Sequence, residues 1–194
     1  MNTIVYLIRH SEPFKIHRGT VKTSESILIE NEKTPLSIDG ERLAERISSL
    51  SEFKNLDLVY SSNYVRAMST AKYFASSNNL KVNVDERFNE RIHGVNSWDE
   101  LPENFELNQL NDEIYKIGFG ESCKEVQSRM LEGLKDILNS NKGKTIAIIT
   151  HATATIFLLK KWCELNNEKE LKFNGNVIFD MNFNYCETFK LEFN

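Results

Sequence analysis

The sequence predicts an α/β fold: a three-layer α/β/α sandwich with a mostly parallel central sheet and a small helical cap insertion. Three observations predict it. Short apolar runs rich in β-branched and aromatic residues recur along the chain, helical patterns separate them, and each run stops abruptly at polar residues. The 194 residues suit a single domain spanning 1–194, with a cap insertion around 95–117.

The first run, Thr3 to Ile8 (TIVYLI), reads as a buried strand and ends at Arg9-His10. Gly40 to Leu50 follows as a helix, with Leu43, Ile47 and Leu50 spaced to share one face. Asp57 to Tyr60 (DLVY) is a second strand, ending at Ser61-Ser62. Tyr64 to Ala75 places Ala67, Ala71 and Phe74 on one helical stripe. The segment Val95 to Tyr115 carries six acids and no Lys or Arg, and also holds Trp98, Pro102 and Phe105. It reads as a solvated insertion, or as a cap whose Trp98 or Phe105 touches a ligand. Ser122 to Leu138 is a long amphipathic helix through Val126, Met130, Leu134 and Ile137. Thr145 to Thr150 (TIAIIT) is a third buried strand and ends at His151. The alternating stretch Ile178 to Phe193 reads as a terminal pair of strands around Asn184.

Composition excludes several classes. With 28 Asp+Glu against 24 Lys+Arg, the net charge of −4 argues against a nucleic-acid partner, which favours a basic excess. No apolar run reaches the ~18 residues of a membrane span, and no basic leader precedes the first strand, so a cytoplasmic location is expected. The cysteines Cys123, Cys163 and Cys186 form neither a disulfide framework nor a metal knuckle, and read as small residues in a reducing compartment.

In open α/β sheets, ligands gather at the carboxyl ends of strands. Arg9 and His10, Arg66 (through Ser61-Ser62) and His151 all converge on that edge. A lone histidine is more often a satisfied core or surface residue. Here two of four histidines occupy the same architectural position. Two arginines and two histidines suit an anion, because guanidinium groups match phosphate oxygens. Zinc would want carboxylate or thiolate companions at close spacing, so neither metal nor cofactor is expected.

These residues carry a family resemblance. LIRHSEP (Leu7 to Pro13) resembles the RHG signature of the histidine phosphatase superfamily, the phosphoglycerate-mutase-like family. TPLSIDGERLAE, VYSSNYVRAMSTA, FNERIHG, GES and IITHATAT resemble its further motifs in order over about the first 160 residues. The resemblance implies that His10 is the nucleophile, that Arg9, Arg66 and His151 bind the phosphoryl oxygens, and that Glu90 is the proton donor and later the base. Glu86 is the alternative acid, less well aligned. The family glycines after the two histidines are Ser11 and Ala152 here, small residues that lack glycine's backbone freedom. The family's phosphate-binding Asn is missing beyond Pro13, which leaves Arg18 or His17, along with Ser11, as outer binding candidates.

The implied function is a metal-independent phosphomonoesterase acting on a small phosphorylated metabolite through a phosphohistidine. A cofactor-dependent phosphoglycerate mutase is the alternative, which Glu90-Arg91 and Gly94 resemble and the acidic segment opposes. A catalytically silent phosphate-binding module is the minor third reading. The apolar edge at Ile178 to Phe183 is a candidate for pairing in a homodimer.

Overall fold

The computed structural model describes residues 2–15, 27–166 and 169–194. Five strands form the central sheet in the order β3-β2-β4-β1-β8. They are β1 (Thr3–Arg9), β2 (Leu58–Ser61), β3 (Val82–Val84), β4 (Thr145–Thr150) and, after three more strands, β8 (Thr188–Phe193). β1, β2, β3 and β4 run parallel, and β8 lies antiparallel on β1. The fold class is therefore the expected one.

Alternation along the buried strands builds the two outer layers. Val5 and Leu7 of β1, with Ile146 and Ile148 of β4, face α5 (Cys123–Ser140) and α6 (Ala152–Leu159). Tyr6 and Ile8, with Ala147 and Ile149, face the opposite core, where Ala67, Ala71 and Phe74 of α3 (Val65–Ser76) pack. Leu43 and Ile47 of α2 (Ile38–Ser48) cover that side. Local signals set the helix starts. Ser37 Oγ accepts from the Gly40 amide at α2, and Ser122 with Glu125 forms a capping box at α5.

The terminal segment differs from the expected strand pair. Its first half, β7 (Asn176–Phe179), joins β5 (Glu164–Leu165) and β6 (Leu171–Phe173) in a separate three-stranded sheet, while β8 returns to the central sheet. Phe179, Phe183 and Phe189 pack as a ring cluster between them, with centroids 4.4–5.9 Å apart. Burial of those rings, rather than a hairpin ladder, directs the connection. In the acidic segment, a short 3₁₀ turn (Trp98–Glu100) and α4 (Phe105–Asn111) are the only regular elements. Phe105 is buried and anchors the segment. Two of the six acids, both exposed, pair with cations beneath them: Glu106 with the buried Arg91, and Glu113 with Lys160 at 3.6 Å.

Gly40 makes a close approach that fixes the loop after β1. A Cβ there would sit 2.0 Å from the Glu12 carbonyl oxygen, which also accepts from the Ser37 amide at 3.0 Å. Gly40→Ala is expected to destabilise by at least about 1–3 kcal/mol, read as a lower urea midpoint. An unchanged midpoint would contradict this packing.

Candidate active site

Parallel pairing brings the strand ends level. Ile8 is in register with Ile149 and Arg9 with Thr150, so the next residues, His10 and His151, emerge side by side. The His10 amide donates to the Thr150 carbonyl at 2.9 Å, and the Ser62 amide to the Ile149 carbonyl at 3.0 Å. The two imidazole rings stand edge to face, 5.1 Å apart. Arg66, in the first turn of α3, enters between them. All three side chains are buried.

Arg66 decides which tautomer each histidine adopts. A guanidinium only donates and a carbonyl only accepts. Arg66 Nε donates to His10 Nε2 at 3.0 Å, while His10 Nδ1 lies 2.7 Å from the Ser11 carbonyl. His10 therefore carries its proton on Nδ1 and a lone pair on Nε2. Arg66 Nη2 meets His151 Nδ1 at 3.2 Å, so His151 holds its proton on Nε2, which donates to Ser62 Oγ at 2.9 Å. Ser62 in turn donates to Asn89 Oδ1 at 2.7 Å. Arg66 Nη1 bonds the Asn31 carbonyl in α1 (Ile27–Lys33). Burial, then the Arg66 charge, pushes both histidines well below the usual imidazole range, so both are neutral.

Arg9 is held from outside. Its Nη1 donates to the Phe183 carbonyl at 2.8 Å, and its guanidinium lies 4.6 Å from the Tyr185 ring centre. Its Nε is buried and has no partner among the described residues. Glu90 sits at the start of α6, where its carboxylate accepts from the amides of Thr153 (3.2 Å) and Ala154 (2.9 Å) and from Arg91 (3.0 Å). Burial pushes the Arg9 and Arg66 guanidiniums below the usual arginine range, and the nearby Glu90 charge partly offsets that.

A cavity of about 570 Å³ opens over this group. Its lining includes Arg9, His10, Arg66, Lys15, Phe14 and Trp98. Glu90 lies beside the site rather than in that lining. Trp98 reaches the cavity, whereas Phe105 does not. Ser11 is fully buried; its amide donates to Thr70 Oγ1 and its hydroxyl to the Gly40 carbonyl, so both serve the scaffold. Neither Ser11 nor Ala152 has a positive φ, so the backbone at these positions does not require glycine. Arg18 and His17 lie outside the described residues. Glu86 sits in a short 3₁₀ turn, away from this cluster's hydrogen bonds.

The structure adds residues that the sequence did not single out. Ser62 and Asn89 orient His151, Tyr185 cradles Arg9, and Arg129 holds the loop before Glu90. Ser62 stands at a strand end, which was the available signal. The others carry roles visible only once distant segments meet.

A family model of the histidine phosphatase superfamily (branch 1) matches residues 5–178. Phosphoserine phosphatase 1 of Hydrogenobacter thermophilus is 27% identical over 139 residues, covering 67% of this chain and 64% of that protein. The chain thus spans less than two thirds of that relative's length. A probable phosphoglycerate mutase of Yersinia enterocolitica is 28% identical over 162 residues, covering 80% of this chain and 72% of that one. Among solved structures, mycobacterial glucosyl-3-phosphoglycerate phosphatase matches with a TM-score of 0.64 at 20% identity, covering 82% and 81% of the two chains.

Neutral buried histidines have a pH consequence. Their folded pKa values lie below the unfolded value of about 6.5, so below that pH the unfolded chain takes up protons that the folded chain does not. Stability is therefore retained above about pH 6.5 and declines on acidification below it. Imidazole ¹⁵N spectra of the ligand-free protein should show His10 and His151 neutral from pH 8 down to pH 6. A midpoint near 6.5 for either would contradict the arrangement.

Proposed function

The chain belongs to the histidine phosphatase superfamily, branch 1, and from that membership we propose a phosphomonoesterase that hydrolyses a small phosphorylated metabolite through a phosphohistidine at His10. The observation that carries this reading is the His10 tautomer. The Ser11 carbonyl holds the Nδ1 proton, which leaves the Nε2 lone pair facing Arg66.

In the first half-reaction the Nε2 lone pair attacks phosphorus, and the phosphorus–oxygen ester bond breaks as the N–P bond forms. Glu90 serves as the general acid, giving a proton to the leaving oxygen. Arg66 must release Nε2 for this, and its freed N–H groups turn with those of Arg9 to the phosphoryl oxygens. His151 presents a lone pair to Arg66 at rest. When a dianionic phosphoryl group draws Arg66 away from Nδ1, its negative charge lets His151 take up a proton from solvent and become a donor. In the second half-reaction Glu90 takes a proton from water, the water oxygen attacks phosphorus, and the N–P electron pair returns to Nε2. Arginine supplies the positive charge throughout, so the reaction proceeds without a metal.

Cavities of about 300–1,000 Å³ take small ligands, which suits one metabolite here. The phosphoserine and glucosyl-3-phosphoglycerate phosphatases among its relatives support a small phosphorylated substrate. The mutase reading is favoured by the similarity to the Yersinia protein and by Glu90-Arg91 with Gly94. It requires interconversion of 3- and 2-phosphoglycerate after priming with the bisphosphate. We expect hydrolysis without interconversion, since the segment from Val95 to Tyr115 adds no cation except Lys116 just beyond it.

Hydrolysis of p-nitrophenyl phosphate in EDTA is the direct test. Wild-type turnover that His10→Ala abolishes supports the reading; no turnover, or an undiminished variant, would sink it. Glu90→Gln should fall furthest with poor leaving groups. Its loss on phenyl phosphate should reach about 10²–10⁴-fold, and be much smaller on p-nitrophenyl phosphate. Equal losses on the two esters would remove Glu90 from the acid role.

A further inference from the structure

The loop that carries Glu90 has no regular secondary structure from Asn89 to Val95. Its backbone groups therefore need partners from elsewhere. Arg129, inside α5, supplies many of them. Its Nη1 donates to the carbonyls of Arg87 (2.8 Å) and Asn89 (2.9 Å), and its Nη2 to that of Glu90 (3.3 Å). The remaining donors go to Glu121: Nε to Oε1 at 2.7 Å and Nη2 to Oε2 at 2.9 Å. All of the guanidinium's N–H groups are thus engaged. Glu121 continues the clamp, since its Oε2 accepts from the Ile92 amide at 3.0 Å and its own amide donates to the Ile92 carbonyl at 2.9 Å. The Arg129–Glu121 pair grips the chain on both sides of Glu90 and leaves its carboxylate on the α6 amides.

We infer that Arg129 is the positioning residue for Glu90, setting proton transfer to the leaving group rather than phosphoryl binding. The inference rests on the hydrolytic reading above and assigns it one more residue. Arg129 hydrogen-bonds neither His10 nor any residue of the cavity lining; it holds the loop by geometry, and its charge also disfavours protonation of His151, an effect that acts on both esters alike. Lysine cannot replace it, because a single ammonium on a flexible stem cannot span three carbonyls and a carboxylate in one plane.

Phenyl and p-nitrophenyl phosphate differ little in shape, but the phenolate is the poorer leaving group and needs the acid. For Arg129→Met, kcat on phenyl phosphate should fall at least about tenfold more than kcat on p-nitrophenyl phosphate. Arg129→Lys and Glu121→Gln should show the same skew more weakly. In a Glu90→Gln background, Arg129→Met should add no further skew. Equal losses on both esters would reduce Arg129 to a structural clamp and overturn the inference while Glu90→Gln stays selective. If Glu90→Gln is itself unselective, the Glu90 assignment fails and takes this inference with it. Should Arg129→Met not fold by circular dichroism, the Arg129→Lys and Glu121→Gln ratios decide by the same criterion.

Discussion

A single guanidinium shared by two buried histidines organises the site. Arg66 gives Nε to His10 and Nη2 to His151, and those two bonds set both tautomers. Hydrogen bonds to a charged donor are worth about 1.5–3 kcal/mol each, enough to fix a proton's position on an imidazole. The same charge, added to burial, keeps both rings neutral. A protonated His10 would have no lone pair to offer phosphorus. The guanidinium thus prepares the nucleophile, and it also occupies the nucleophile's lone pair until an anion draws it away.

The sheet makes that sharing possible. Because β1 and β4 are parallel and in register, their following residues meet at one edge, and β2 delivers Ser62 and α3 beside them. Polar groups at this edge are tied across elements. Thr150 Oγ1 donates to the Phe88 carbonyl at 2.7 Å, and Asn89 Oδ1 accepts from both Ser62 and the Asn63 amide. The loop before α6 is therefore fixed from the strand side as well as by Arg129. The terminal segment closes the outer flank, where Phe183 and Tyr185 hold Arg9. Net charge of −4 coexists with a pocket that gathers Arg9, Arg66 and Lys15 because most acids lie elsewhere, Glu30 in the lining and Glu90 beside it excepted, and several are tied to cations of their own.

What could be read from the sequence follows from where the signals are local. The buried strands β1, β2 and β4 were legible as apolar runs, and their polar stops named Arg9, His10 and His151. Helices α2, α3 and α5 were legible because each has one wet face. Helix α6 was not, since six of its eight residues are buried and no polar face marks its period. The separate sheet of β5, β6 and β7 escaped because its strands are two to four residues long. The clamp of Arg129 and Glu121 escaped for another reason: Glu121 was legible only as part of the GES helix entry and Arg129 only as a polar position on α5, and their pairing shows once the loop folds over α5. Ser11 was read toward the ligand, while the structure spends its hydroxyl on Gly40.

The central claim is that Arg66 and the Ser11 carbonyl make Nε2 of His10 the atom that receives the phosphoryl group. Trapping the phosphoenzyme by alkaline denaturation during turnover and recording ¹⁵N–³¹P correlations would test it most directly. The account predicts one N–P bond, at Nε2 of His10, absent from His10→Ala. Phosphorus on Nδ1 of His10, or on His151, would contradict it.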